Sequence, residues 1–163
     1  MSVHRPHRRD PESYKEAVYG SILVTALIAA LRHEHVPVRV LTITLVGTML
    51  VFWLAHVWSS IVAERLRGAA RLSVRQVRDL ATEEWPMLEV AFVPVVALVV
   101  GWLGFVSDDR AVNIALGLAV IQLAAWGFAV GRQIYGRTLP AILFGIVDGL
   151  LGLAIVALEV AVH

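Results

Sequence analysis

The chain has 163 residues, of which 58% are hydrophobic, and its formal net charge is only +1. Its mean hydropathy of +0.75 is far above that of an ordinary soluble domain. The absence of cysteine excludes disulfides, thiolate metal sites and thiol redox chemistry.

Apolar stretches recur along the chain at the length that a bilayer requires. A hydrocarbon core about 30 Å thick is crossed by ~20 apolar residues in a helix. Five stretches fit, at about residues 17–32, 40–62, 87–106, 111–131 and 139–162, and they leave no room for a separate soluble domain. The sequence therefore predicts an all-α integral membrane protein with one membrane domain.

Residues 1–16 precede the first apolar stretch. Asp10, Glu12 and Glu16 in this leader, and the lack of a small-residue cleavage site before Arg32, argue against a cleaved secretory signal. We interpret residues 1–16 as a disordered cytoplasmic tail and keep the following stretch as a helix.

A sixth, amphipathic helix is expected at about residues 73–85. Ser73 and Gln76 have the spacing of a capping box. Val74, Val77 and Leu80 recur on one helical face, which suits the headgroup region of a bilayer, although a solvated linker helix is the alternative. Trp85 then fits an interfacial anchor, and Pro86 fits the first turn of the next helix.

Basic residues are distributed unevenly between the connecting segments. Of the 14 Lys and Arg residues, one set of segments carries all but three: Arg5, Arg8, Arg9, Lys15, Arg65, Arg67, Arg71, Arg75, Arg78, Arg132 and Arg137. The other set carries Arg32, Arg39 and Arg110. Positive residues stay in the cytoplasm, which predicts a cytoplasmic amino terminus and an external carboxyl terminus in a cell inner membrane. The predominance of Arg over Lys is typical of bacterial proteins from GC-rich genomes.

Glycine and proline indicate how the helices pack. Residues 127–131 and 145–149 are both GxxxG segments, which let another backbone approach closely. Pro94 removes one backbone hydrogen bond near the middle of the third stretch and predicts a kink there. Five stretches do not divide into two equal inverted halves, so a homo-oligomer or a subunit of a larger membrane assembly is expected.

A few polar residues lie inside the apolar stretches, where ionisable groups are costly. Asp148 is near the middle of the last stretch, and Glu159 lies eleven residues later on nearly the same face. His56, Gln122 and Glu89 are expected at comparable depths in the cytoplasmic half. We predict these residues as candidates for a transport pathway: Asp148, His56, Gln122, Glu89 and Glu159.

Two explanations of Asp148 stay open at this point. It can be paired with His56 or Gln122 and hold helices together, because interhelical hydrogen bonds are ordinary in membrane proteins. Alternatively, a buried carboxyl group and a histidine can exchange protons and form part of a pathway.

The expected function is that of a small oligomeric channel or transporter for protons or cations. The alternative is a non-catalytic accessory subunit whose GxxxG faces dock to partner membrane proteins. Histidines and carboxylates at the external ends match no metal signature, so no metal or other cofactor is predicted. The sequence has no phosphate loop, metalloprotease motif or nucleophile elbow. An enzyme therefore ranks behind both the transport and the accessory interpretations. The cytoplasmic arginines are explained by topology, so nucleic acid is not an expected partner.

Overall fold

The computed structural model describes residues 11–33, 36–68 and 72–162, and every regular element among them is helical. These elements are α1 (Pro11–His33), α2 (Val38–Leu66), α3 (Val74–Glu83), α4 (Pro86–Trp102), α5 (Asp108–Tyr135) and α6 (Thr138–Val162). The prediction of an all-α protein is therefore confirmed.

Within these described ranges, four segments are long and apolar enough to cross a membrane: Ser13–Arg32, Val38–Leu66, Asp108–Tyr135 and Thr138–Ala161. The protein is accordingly a multi-pass membrane protein. A fifth crossing requires α3 and α4 to count as one span, although their axes bend by 50° where they meet. The predicted third stretch, 87–106, corresponds to α4, which has only 17 residues.

Helix α1 occupies the centre of the bundle and contacts α2, α4, α5 and α6. It begins at Pro11, a residue whose fixed backbone angle suits a first helical position, so residues 11–16 of the expected tail are helical. Residues 1–10 lie outside the described part of the chain. Gly20 allows α4 to approach closely, because a Cβ atom at this position would lie 2.8 Å from the carbonyl oxygen of Met87.

Helices α5 and α6 form a tight antiparallel hairpin. Gly136 ends α5 in the left-handed conformation, with φ at 63°, which favours glycine. Both GxxxG segments lie in this hairpin: a Cβ atom on Gly131 would come 2.6 Å from Cα of Ala141, and one on Gly145 would come 2.9 Å from the carbonyl oxygen of Ala124. These two faces are therefore occupied within the chain, and the docking role that the accessory interpretation gave them is wrong.

A helix, α3, is present where the amphipathic segment was expected. The side chain of Ser73 accepts a hydrogen bond from the backbone of Gln76, and the Gln76 side chain accepts one from the backbone of Ser73, so the capping box is formed. Its position at the membrane surface stays a prediction.

The contacts between elements give the bundle two distinct ends. At one end lie α3, the beginnings of α1, α4 and α6, and the ends of α2 and α5; we call this the α3 end. At the opposite end, the carboxylate of Asp108 accepts a hydrogen bond of 3.0 Å from the backbone nitrogen of Val38. Asp108 thus satisfies one of the unpaired donors in the first turn of α2.

Candidate functional site

Three polar residues on the central helix α1 are buried: Glu16, Ser21 and Thr25. The Ser21 hydroxyl donates to the carbonyl oxygen of Ala17 at 2.8 Å, and the Thr25 hydroxyl donates to that of Ser21 at 2.8 Å. Since both hydroxyls are satisfied within the helix, Glu16 is the residue whose burial has to be explained by its surroundings.

The carboxylate of Glu16 is enclosed but incompletely paired. Only 5% of the residue is exposed. Its Oε1 atom lies 3.4 Å from Nζ of Lys15, whose side chain is 71% exposed. Its Oε2 atom is buried and has no hydrogen-bond partner among the described residues. Glu84 and His56 also lie close enough to Glu16 to interact with it electrostatically.

His56 reaches this site from α2. Its Nδ1 atom lies 3.0 Å from the carbonyl oxygen of Phe52. Because a carbonyl oxygen only accepts, Nδ1 carries the proton in this contact, which leaves Nε2 as the ring nitrogen that can take up a second proton. The imidazole ring packs against the ring of Tyr19 on α1, with centroids 5.3 Å apart.

Glu84 contributes a second carboxylate from the residue that follows α3. The hydroxyl of Ser60 donates to its Oε1 atom at 2.8 Å, whereas its Oε2 atom is buried without a partner among the described residues. The indole nitrogen of Trp53 donates to the carbonyl oxygen of Ala81 at 3.1 Å, and its ring packs edge-on against Trp85. These contacts hold the end of α3 against α2 and so fix Glu84 beside Glu16.

A cavity of about 420 Å³ opens beside these groups at the α3 end. Its lining is mostly polar or charged: Lys15, Glu16, Ser60, Ala63, Glu64, Arg67, Leu80, Glu83 and Glu84. We call Glu16, His56, Ser60 and Glu84 the carboxylate cluster. Within the described ranges, no group of three or more His, Cys, Asp or Glu side chains has the arrangement of a metal site.

Asp148 lies outside the carboxylate cluster, beside a groove that is bordered by other residues of α1 as well as by Lys15. It is partly buried and packs directly on α5, since a Cβ atom on Gly127 would lie 2.5 Å from its Oδ2 atom. Asp148 borders a groove of about 490 Å³ that is otherwise lined by Tyr14, Lys15, Val18, Tyr19, Ile22, Val130 and Phe144. Tyr19 connects the two sites, because it borders this groove and also contacts His56.

Gln122 forms a hydrogen bond that the sequence explains once the fold is known. Its Nε2 atom donates to the carbonyl oxygen of Val90 at 2.9 Å. Val90 is four residues before Pro94, which has no N–H to offer that carbonyl. Gln122 supplies the missing donor from the neighbouring helix, while its own Oε1 atom is buried without a partner among the described residues.

The two remaining predicted residues lie outside the carboxylate cluster. Glu89 is exposed in the first turn of α4, beside an apolar groove of about 510 Å³ that α4 forms with α2. Glu159 is partly buried near the end of α6. Of the five predicted residues, only His56 belongs to the cluster.

The sequence interpretation missed Glu16 and Glu84. Glu16 was assigned to the tail because the helix was started at Ala17. Buried positions 17, 20, 21, 24, 25 and 28 follow helical spacing, and the residue four before Gly20 is Glu16. Extending that stripe backwards would have brought Glu16 into the core. No comparable signal marks Glu84, whose burial depends on the packing of α3 against α2.

Comparisons with known proteins add nothing to this assignment. No protein-family model, no curated protein and no solved structure matches the chain. The site therefore has to be interpreted from its own geometry.

Proposed function

We propose that this protein is a small, oligomeric channel or transporter for protons or small cations, and that the carboxylate cluster is where the ion binds. One observation carries the proposal. Among the described residues, Glu16 is a nearly inaccessible carboxylate with one oxygen unpaired, beside a second carboxylate that also has one oxygen unpaired.

The chemistry of the cluster suits a positive ion. Two neighbouring carboxylates in a poorly solvated site repel each other, and a proton or a bound cation would relieve this repulsion beyond what the exposed Lys15 provides. His56 adds a ring nitrogen, Nε2, that can bind a proton. A cavity of about 420 Å³ has room for several water molecules, which can hydrate an ion or carry a proton.

The proposal includes an orientation and a number of spans. The bias of Lys and Arg along the chain favours a cytoplasmic location for the α3 end, with α4 as the fifth crossing. The ion would then enter the cluster from the cytoplasm, past the exposed residues Arg67 and Glu83 at the rim of the cavity. Asp148, Gln122, Glu89 and Glu159 stay predictions as further residues of the pathway.

A second candidate function is that of a non-catalytic accessory subunit of a larger membrane complex. It is favoured by the packing beyond the cluster, where the core is filled by apolar side chains that are at most 1% exposed, among them Ile28, Leu41, Leu45 and Leu98. An ion bound at the cluster would have to pass this layer through a rearrangement of helices or along an interface between subunits.

Ion flux in proteoliposomes tests the first candidate. We expect the purified wild-type protein to dissipate an imposed gradient of protons, potassium or sodium, and Glu16→Gln to reduce that flux to the level of protein-free vesicles. Asp79→Asn is the control, because Asp79 is an exposed acid of α3 that does not line this cavity, and it should behave as wild type. Glu84→Gln serves as the second test if Glu16→Gln does not fold.

Two results would contradict transport. One is the absence of wild-type flux for all three ions over a range of pH, and the other is undiminished flux in both cluster variants. Purification in a mild detergent then addresses the accessory role, which requires a stoichiometric partner protein and is contradicted by a pure homo-oligomer.

A further inference from the structure

The groove beside Asp148 differs from the carboxylate cluster in the number of its acids and in the polarity of its walls. Asp148 is its single acid, and its walls are apolar or aromatic: Tyr14, Val18, Tyr19, Ile22, Val130 and Phe144. Lys15 also borders the groove, but its ammonium group pairs with Glu16 at 3.4 Å. Lys15 therefore contributes its hydrocarbon chain to the groove and keeps its charge at the rim.

Packing with neighbouring helices fixes the aromatic walls and the acid. The ring of Tyr14 packs edge-on against Trp126 on α5, with centroids 6.0 Å apart. The ring of Phe144 packs against Tyr135 at 5.8 Å. The Asp148 carboxylate rests on the bare backbone of Gly127, where a Cβ atom would come 2.8 Å from Cγ of Asp148. The site is thus built before any ligand arrives.

These features select one class of ligand. A single carboxylate among apolar walls does not replace the hydration shell of a small inorganic cation, which requires several oxygen ligands. An organic cation carries a diffuse charge and hydrocarbon that the walls can cover, and tyrosine rings attract its charge through their faces. The groove volume of about 490 Å³ lies within the range that small-molecule sites occupy.

We propose that the groove between α1 and α6 binds a lipophilic organic monocation, such as an aromatic amine or phosphonium compound, which enters from the lipid phase and pairs with Asp148. The proposal does not rest on transport at the carboxylate cluster: Lys15 borders both sites, but they share no acid.

Equilibrium binding of radiolabelled tetraphenylphosphonium to the protein in phosphatidylcholine nanodiscs tests the proposal. We expect saturable binding to the wild type and at least about tenfold weaker binding to Asp148→Asn, equivalent to about 1.4 kcal/mol. Glu89→Gln is the matched control, since it removes an acid that borders a different groove, and it should bind as wild type. Tetraphenylborate, which has the same shape and the opposite charge, should not bind saturably.

Three results would overturn the proposal: equal binding by Asp148→Asn, saturable binding of tetraphenylborate, or loss of wild-type binding when phosphatidylethanolamine replaces phosphatidylcholine. The last would assign the groove to the amine of a lipid headgroup. If Asp148→Asn does not fold, Val18→Trp fills the groove and keeps the carboxylate. Unchanged binding by that folded variant would also overturn the proposal.

Discussion

The two sides of α1 contain carboxylates in opposite kinds of surroundings. On the side of α2 and α3, Glu16 is almost fully enclosed and shares its site with His56, Ser60 and Glu84. On the side of α5 and α6, Asp148 is only partly buried and has apolar and aromatic neighbours. One helix thus separates a polar cavity from an apolar groove.

The location of an acid inside a membrane segment therefore does not by itself define the role of that acid. Neighbours decide whether a carboxylate can exchange an ion with water or pair with a lipophilic cation. A proton or a hydrated ion suits the first side, and an organic cation suits the second. Variants that change one side at a time test whether the two sides act separately.

The largest effect on stability is expected from Gly131→Leu, which overpacks the contact between α5 and α6 behind Asp148. A Cβ atom at this position would lie 2.6 Å from Cα of Ala141, a backbone atom that cannot move without separating α5 from α6. We expect a loss of about 3 kcal/mol of stability, the upper end of the usual cost of overpacking, measured as a fall in the thermal unfolding temperature in detergent.

Gly117→Leu is the control for that variant, because no atom lies within 4 Å of the Cβ position at Gly117. Equal unfolding temperatures for the two leucine variants would show that the hairpin tolerates separation. The apolar groove would then not be the rigid side of the molecule.

An intermediate effect is expected from Gln122→Leu, which leaves the carbonyl group of Val90 without a donor. Leaving a buried acceptor unsatisfied costs about 1–3 kcal/mol, and the unfolding temperature should fall accordingly. Adding Pro94→Ala restores a backbone N–H for the same carbonyl and should recover part of the loss.

Flux measurements on Gln122→Leu test whether Gln122 also belongs to the transport pathway. If Gln122 serves only this hydrogen bond, transport at the carboxylate cluster should persist in the folded variant. A selective loss of flux without a loss of stability would instead make Gln122 part of the pathway.

The smallest effect is expected from Trp53→Phe, which removes the hydrogen bond to Ala81 and loosens α3 from α2. We expect a cost of about 1 kcal/mol and faster amide hydrogen exchange in α3, measured by mass spectrometry. Trp58→Phe is the control, because Trp58 is 62% exposed. Unchanged exchange in Trp53→Phe would mean that other contacts hold Glu84 beside Glu16.

Apolar length predicted the helices well, because backbone groups in lipid must pair within their own segment. The same reasoning was weakest at helix ends. It started α1 too late and carried α4 past Trp102, whereas the chain turns at Gly104 with φ at 81°. Apolar length does not register a proline that begins a helix or a glycine that ends one.

The candidate site was only partly predictable, because the depth of a residue along a membrane span does not tell which neighbouring helix its side chain faces. His56 and Asp148 were placed in one layer, yet α1 separates them. Gln122 was grouped with them, whereas its amide bonds the carbonyl that Pro94 leaves unpaired. Which faces meet depends on close approaches at residues such as Gly20 and Gly127, and a single sequence does not specify those pairings.

The unequal lengths of α2 and α4 have a consequence for the surrounding bilayer. With 17 residues, α4 extends about 26 Å, whereas α2 with 29 residues extends about 44 Å at the usual rise per residue. Neither length matches a hydrocarbon layer of about 30 Å without tilt or local thinning. On the proposed topology, with α4 as the fifth crossing, hydrophobic mismatch would act in opposite directions on these two packed helices, and their relative tilt should depend on membrane thickness.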